Sequence, residues 1–407
     1  MFYSHDTYGL GHLRRTLAIA TQLAQDRPAA TQLLVTGSTV SGAFALPDRS
    51  DLIKLPSLSK RRDGRYKARS LPLSLPQLIH WRKQMILQAA IAFQPDLLLV
   101  DKSPAGVQDE LLPTLRHLKT WSPGTRLVLG MRDIEDGPEM TRAEWEEGGI
   151  RQLHEDVYDC ILLYGQKDIF DPVVEYEMSP LAYRKLVPVG YLGRAQPART
   201  REAVRRELEV GERPLIVVAA GGGGDGFELL RTYLEALIAG APVLSGAHTV
   251  IVTGPLMARG KRELLRNLAQ FEHLTWYEFT PDLLSLMGAA DLVLSMGGYN
   301  TVREALSLQA RLLVVPRTRP RIEQLLRAER LAARGMLRFL TPDELTPGRL
   351  AAEIETSLLA PRPAVSLDFG GLERVSQVIA ELLMGSLPDG WELSLRQDLR
   401  PAEILWR

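Results

Sequence analysis

Three short stretches of this chain combine residue types and spacings that could do chemistry. In Asp6-Thr7-Tyr8-Gly9-Leu10-Gly11-His12-Leu13-Arg14-Arg15 an imidazole follows two glycines and opens a helical run with apolar positions at Leu13, Leu17, Ala20 and Ala24. Gly9 and Gly11 let the backbone turn sharply and approach a ligand. A histidine at a helix N-terminus is kept neutral by the helix dipole, the form a general base needs. His12 could equally cap or pack the turn, and His5, at a strand end, could do no more than hydrogen-bond locally. The second stretch, Ala219-Ala220-Gly221-Gly222-Gly223-Gly224-Asp225-Gly226-Phe227, follows an apolar strand. Its glycines offer a nest of N–H groups to an anion such as pyrophosphate. It lacks the Gly-Lys-Ser/Thr ending of a Walker loop and fits the dinucleotide fingerprint poorly, and the plain alternative is a flexible connector. In the third, Leu292–Ser295 leads through Met296-Gly297-Gly298 into a helix expected to take Asn300 or Thr301 as its cap, with Glu304 in the first turn. A carboxylate there can accept both hydroxyls of a ribose while the N-terminal amides face phosphate. The alternative is a capping box between Glu304 and Thr301.

The elements that must hold these loops have a parallel α/β rhythm, short apolar runs alternating with helical spacing of Leu and Ala. Strands are expected at Leu33–Thr36, Leu97–Val100, Arg126–Met131 and Cys160–Tyr164, after a short first strand within Met1–Ser4. A second set is expected at Leu215–Ala219, Thr249–Thr253, Leu292–Ser295 and Leu312–Val315. Helices should open near Leu13, near Gln77 and after Ser103. Between the two sets, Val187–Pro197 is rich in Pro and Gly and reads as a hinge beside a cleft. This gives an N-terminal Rossmann-like domain over 1–190, a second over 191–365 and a tail over 366–407. The tail carries an amphipathic helix, Leu372–Leu383, expected to cross back onto the N-terminal domain, with Trp391 and Trp406 as anchors or partner contacts.

Composition narrows the function. The chain has 407 residues, too many for one core, and its 49 Lys+Arg balance 49 Asp+Glu. A net charge of zero argues against a general nucleic-acid binder. Cys160 is the lone cysteine, which excludes an internal disulfide and any cysteine-clustered zinc site. With no apolar run long enough for a transmembrane helix and no signal-peptide core, a cytoplasmic location is expected. The segment Lys60–Ser70 is strongly basic: either a solvated loop, or a mobile acceptor loop that attracts an anionic glycan, a lipid diphosphate or the inner membrane face. Asp109, Glu110 and Glu144–Glu147 read as solvated helix faces, with Trp145 packing beneath.

The third loop resembles the nucleotide-sugar-binding segment of GT-B glycosyltransferases, the peptidoglycan GlcNAc transferases of family 28 that make lipid II from lipid I. The likeness runs from Tyr277-Glu278-Phe279 through Asp291, Gly298, Thr301, Glu304, Pro316 and Gln324. Gly9-Leu10-Gly11-His12-Leu13-Arg14-Arg15 is similar to a set of predicted glycosyltransferases of unassigned substrate. The resemblance implies a GT-B fold, two Rossmann-like domains with parallel sheets facing a cleft. Carried over by position, it implies that Glu304 binds the donor ribose and Gln324 meets the sugar hydroxyls. The backbone around Phe279 and Thr280 would hold the base. Gly221, Gly222, Gly223 and Gly224 with Gly297 and Gly298 would surround the diphosphate, beside Asn300 and Thr301. His12 would lie near the reacting centre, with Gly9, Gly11 and Arg14 on the acceptor side. The family's Ser-Gln in the glycine loop stands here as Gly223-Gly224, its basic residue before Ser-Gly as Met296, and that Ser as Gly297.

The implied reaction is transfer of a sugar from a nucleoside diphosphate donor, UDP-linked by analogy, to a hydroxyl of a glycan, lipid-linked or small-molecule acceptor, with inversion. His12 is the expected base, with Asp101 and Asp133, at strand ends of the first domain, as further candidates that could instead cap helices. No Asp-x-Asp occurs, so no metal and no cofactor are expected. Two other enzyme readings share the fold, a sugar-nucleotide hydrolase and a 2-epimerase. A third is a nucleotide-sugar-binding protein without turnover.

Overall fold

The computed structural model describes residues 1–5, 11–60, 65–193, 197–268 and 271–385. The expectations for Gly9, for Arg61 and Arg62 in the basic stretch, for residues 194–196 of the hinge, and for Trp391 and Trp406 fall outside them. The chain divides into two compact units, residues 1–192 with the segment beginning at Asp368, and Gly193–Leu367.

The first unit is built on a parallel sheet of β1 (Phe2–Ser4), β2 (Gln32–Thr36), β3 (Ser50–Lys54), β6 (Leu97–Asp101), β7 (Arg126–Arg132), β8 (Cys160–Tyr164) and β9 (Leu186–Pro188), in the order β3-β2-β1-β6-β7-β8-β9. The central strands are continuous apolar runs because helices cover both faces of the sheet. Leu98, Leu99 and Val100 of β6 are fully buried, each worth roughly 1.5–3 kcal/mol relative to exposure. The helix α1 (Gly11–Asp26) follows β1 and buries Leu13, Leu17, Ile19, Ala20 and Leu23. The Gly371–Met384 helix packs on α1 and ties in through Arg374 Nε, which donates to the Val189 carbonyl at 2.7 Å.

Three expectations change here. The described arms of the basic stretch, β4 (Leu58–Lys60) and β5 (Tyr66–Ala68), form an antiparallel hairpin, not a loop. Leu58 seats it against Leu78 and Ile79 of α2 (Leu75–Phe93), leaving Arg65, Lys67 and Arg69 exposed. Glu110 is not a solvated helix face. It is fully buried, accepts Arg82 Nε at 2.5 Å and Arg82 Nη2 at 2.6 Å, and takes the Tyr3 hydroxyl at 2.6 Å. A buried carboxylate is tolerable only with such pairing. Asp109 and Glu144, Glu146 and Glu147 are exposed, and Trp145 is buried beside them. The start of the expected hinge is also regular, since Leu186–Pro188 is the edge strand β9.

The second unit repeats the plan with β10 (Leu215–Ala219), β11 (His248–Val252), β12 (Leu274–Tyr277), β13 (Leu292–Ser295), β14 (Leu312–Val314) and β15 (Arg338–Phe339), all parallel in the order β12-β11-β10-β13-β14-β15. Helices α3 (Phe227–Ile238), α4 (Tyr299–Ser307) and α5 (Glu323–Ala332) follow β10, β13 and β14. In each sheet the strand order reverses once about the centre, between β1 and β6 and between β10 and β13. The crevice outside the carboxyl ends of such a strand pair is where doubly wound sheets bind ligands. Among the described residues no helix is long and apolar enough to cross a membrane.

Candidate active site

At the first reversal, Ser4 at the end of β1 pairs in register with Asp101 at the end of β6. The chain leaving β1 returns as α1, so His12 in its first turn faces Asp101 across the gap. Arg15 lies three residues on, on the same face of the helix. Nδ1 of His12 is 2.5 Å from Oδ2 of Asp101. Arg15 donates Nε to Oδ1 at 2.7 Å and Nη2 to Oδ2 at 2.6 Å, and its Nη2 lies 2.8 Å from Nδ1 of His12. The Asp101 and Arg15 side chains are 1% and 3% exposed, that of His12 18%.

Two groups compete for Nδ1: Asp101 Oδ2 at 2.5 Å can only accept, and Arg15 Nη2 at 2.8 Å can only donate. If Nδ1 carried a lone pair it would face the carboxylate oxygen lone pairs at 2.5 Å, a repulsion in a low-dielectric site. Burial alone would raise the Asp101 carboxyl, but Arg15 and His12 hold it well below the usual carboxylate range, so it is an anion. With the shorter of the two contacts made, Nδ1 carries the proton and donates to Asp101, which leaves the lone pair on Nε2. Burial pushes the His12 imidazole down to about 4 against the pull of Asp101, with Arg15 and Lys102 adding to the drop. His5 stands edge-on to His12, ring centres 5.6 Å apart, and is also pushed down by burial and by His12 and Lys102.

Of the three bases the sequence offered, only His12 has this arrangement. Asp101 serves the imidazole. Asp133 is fully buried, accepting the Tyr191 hydroxyl at 2.6 Å and the Ile134 N–H at 2.8 Å. Each of its oxygens thus accepts a hydrogen bond within the fold. Arg14 is partly buried in α1, and Arg15, to which the sequence assigned no role, is the arginine on Asp101. Lys102, held 3.3 Å from Glu135, was also missed; its signal is its place directly after a strand-end aspartate.

At the second reversal the loops are made of backbone. Gly223 has φ +90°, and a Cβ there would run into the carbonyl oxygen of Thr253. Gly254 faces the same contact from the other side, its added Cβ 2.5 Å from the Gly221 oxygen. Part of the glycine run is thus needed so that two loop backbones can pack together. Gly221, with φ +61° and nothing near its Cβ position, is exposed. A Cβ on Gly226 would lie 3.4 Å from Met296 Sδ, so this loop and the Met296-Gly297-Gly298 loop adjoin. Gly297 has φ +79° and its Cβ position is 2.7 Å from Val314, which explains glycine where the family has serine.

The third loop departs from expectation in its capping. Gly298, not Asn300 or Thr301, is the N-cap of α4, and no side chain caps it. Asn300 and Thr301 fall in the first turn and Glu304 in the second, which also removes the capping box. Glu304 is 1% exposed, with its carboxylate 3.6 Å from the Arg303 guanidinium. Gln324 packs beside Gly297 and accepts the Arg317 backbone N–H at 2.9 Å. Phe279 and Thr280 follow β12, two strands from β10, and the Thr280 hydroxyl accepts the Asp282 N–H at 3.1 Å.

Two arginines in this region had no assigned role in the sequence analysis. Arg317 links Asp225 of the glycine loop at 3.2 Å to Glu323 of α5 at 2.5 Å. Arg327 is 2% exposed, donates to the Gly297 carbonyl at 3.3 Å and lies over the Tyr299 ring. Both belong to segments whose local pattern is an ordinary loop or amphipathic helix.

With this geometry established, the comparisons with known proteins are consistent. Residues 218–365, within the second unit, match the glycosyltransferase family 28 C-terminal domain. An uncharacterized glycosyltransferase of Methanopyrus kandleri is 27% identical over 243 residues, 58% of this chain and 64% of that protein. The UDP-N-acetylglucosamine–N-acetylmuramyl-(pentapeptide) pyrophosphoryl-undecaprenol N-acetylglucosamine transferase of Shouchella clausii is 29% identical over 147 residues, 35% of this chain and 39% of that protein. The matches thus span less than two thirds of these relatives. Among solved structures, the calicheamicin glycosyltransferase CalG4 has a TM-score of 0.55 at 15% identity, covering 95% of each chain. A putative UDP-N-acetylglucosamine 2-epimerase from Listeria monocytogenes has a TM-score of 0.59 at 14% identity, covering 93% of this chain and 95% of that one. The fold is GT-B, and transferase and epimerase share it.

Proposed function

We propose that this protein is an inverting glycosyltransferase that moves a sugar from a UDP-linked donor to an acceptor hydroxyl. The observation that carries the reading is the His12–Asp101 pair at the first strand reversal, a neutral imidazole with its Nε2 lone pair available. Nε2 takes the acceptor proton as the hydroxyl oxygen bonds to the anomeric carbon, and the bond from that carbon to the diphosphate oxygen breaks. A single displacement inverts the centre. The departing diphosphate gathers negative charge, and prearranged N–H groups lower the barrier most where that charge grows. The loops at Gly221–Gly226 and Gly297–Gly298, with Arg317 beside them, supply such groups without a metal ion.

The family 28 domain supports a nucleotide-sugar donor in the second unit, and the Shouchella relative's name supports UDP as its carrier. Glu304 keeps the ribose and Gln324 the sugar hydroxyls, with Asn300 and Thr301 flanking and Phe279 and Thr280 at the base. The burial of Glu304 means that the side chains over it give way when the ribose enters. The acceptor is a glycan or lipid-linked alcohol of cell-envelope or glycoconjugate synthesis, reached from the cytoplasm. The exposed Arg65, Lys67 and Arg69 of the hairpin favour an anionic acceptor or membrane face. Incubation with UDP-sugars, with and without envelope lipid and glycan fractions, tests this. Acceptor-dependent release of UDP is expected. Release of free sugar into water would make it a hydrolase, a changed sugar still on UDP an epimerase, and binding with no change in any fraction a non-catalytic protein.

A further inference from the structure

We propose that Arg15 is a positioning residue of the first-unit site: it holds the Asp101 carboxylate against Nδ1 of His12 and offsets its charge, so that the imidazole is both oriented and kept neutral. The inference rests on the reading of His12 as the base. A buried carboxylate on its own favours imidazolium, and an imidazolium has no lone pair to accept a proton. Here the carboxylate is shared. Arg15 grips both of its oxygens, at 2.7 and 2.6 Å, and is itself 3% exposed. The guanidinium in turn lies over the Tyr164 ring, 5.8 Å from its centre. Gly130 makes room for that ring, since a Cβ there would collide with the Tyr164 hydroxyl.

Among the described residues one other cation acts on His12 in the same direction as Arg15. Lys102 on the strand end beside Asp101 lowers it, and His5 at the end of β1 presents a second neutral ring. His5 is in turn pushed down by Arg82 of α2, among other groups. Among the described residues Asp101 is the group that pulls His12 upward, and Arg15 is the cation bonded to Asp101. Arg15 thus decides how much of that pull reaches the ring. A lysine could supply the charge but not the planar fork that spans two oxygens.

Nitrogen-resolved NMR of the imidazole rings of the full chain tests this on the wild type, Arg15→Met and Arg15→Lys. The wild type should show a neutral His12 with its proton on Nδ1 down to pH 5. Arg15→Met should raise the His12 midpoint by about one to two pH units. Arg15→Lys should leave the midpoint little moved but lose the single Nδ1–H tautomer. A folded Arg15→Met with unchanged midpoint and tautomer would overturn the proposal. If that variant does not fold, an unchanged tautomer in Arg15→Lys refutes the positioning role. No nucleotide enters these titrations, so a failure of the transferase reading would instead appear as missing donor turnover, with the His12 result intact.

Discussion

The two units share a strand order and differ at the reversal of that order. In the first unit the crevice is furnished with side chains, His12, Asp101, Arg15 and Lys102, arranged about one imidazole nitrogen. In the second it is furnished largely with backbone, where Gly221, Gly223, Gly254 and Gly297 have positive φ and the Gly221–Gly223 and Thr253–Gly254 loops meet backbone to backbone. Proton transfer needs a group whose lone pair and charge are tuned, and only side chains supply that. Diphosphate binding needs many weak donors held close to an anion, and glycine backbone supplies those. One topology thus serves two chemistries according to whether its crossover loops present side chains or amides.

The largest expected effect breaks the first half of that comparison. His12→Ala should lower turnover by about 10²- to 10⁴-fold with donor affinity unchanged, read from steady-state kinetics and UDP titration. A parallel loss of donor affinity would mean that the division of labour is wrong. Gly223→Ala breaks the second half. It forces a Cβ into the Thr253 carbonyl at a left-handed backbone position, so it should cost roughly 1–3 kcal/mol of stability and weaken UDP binding, as urea unfolding and calorimetry would show. Gly221→Ala meets no neighbour and should cost less.

Acidification sharpens the contrast without mutation. His5, His12 and His154 all lie in the first unit and are pushed down by burial, His12 to about 4 and His154 to about 3. The unfolded chain takes up these protons near pH 6.5, the folded one only at lower pH, near 4 at His12 and near 3 at His154. Their contribution to stability is present above pH 6.5 and is lost as the pH falls toward 4. Between pH 7.5 and 5 the first unit should lose on the order of 1–2 kcal/mol per histidine. In the second unit the buried His248 is lowered as well, and as a single such histidine among that unit's described residues, against three in the first, it should give a smaller effect. Residue-resolved hydrogen exchange at the two pH values distinguishes the units. The smallest effect concerns Arg317, whose partner Asp225 is half exposed: Arg317→Gln should weaken UDP by about tenfold, the loss of one charge-assisted bond, and leave uridine unaffected.

The same contrast governs what could be read from sequence. The central strands were legible because Leu97–Asp101, Leu215–Ala219 and Leu292–Ser295 are unbroken apolar runs ended by turn residues. The edge strands Ser50–Lys54, Leu274–Tyr277 and Arg338–Phe339 were not, because half-exposed edges need no apolar run. The glycine loops stood out because a loop built of backbone is written in consecutive residues. The first-unit site is not written that way. Asp101 was visible as a strand-end carboxylate, but its partners lie 86 and 89 positions away, and the choice of Arg15 over Arg14 depends on helix phase. Glu110 looked like a surface acid because Arg82 and Tyr3, which neutralise and bond it, come from α2 and β1. Arg317 and Arg327 were hidden for the same reason.

The most direct measurement is calorimetric titration of UDP into the folded wild type, His12→Ala and Glu304→Ala. The account predicts saturable binding to the wild type, equal binding to His12→Ala, and at least about a tenfold loss in Glu304→Ala as charge-assisted bonds to the ribose disappear. No binding to the wild type, or full affinity in Glu304→Ala with a loss in His12→Ala, would contradict it.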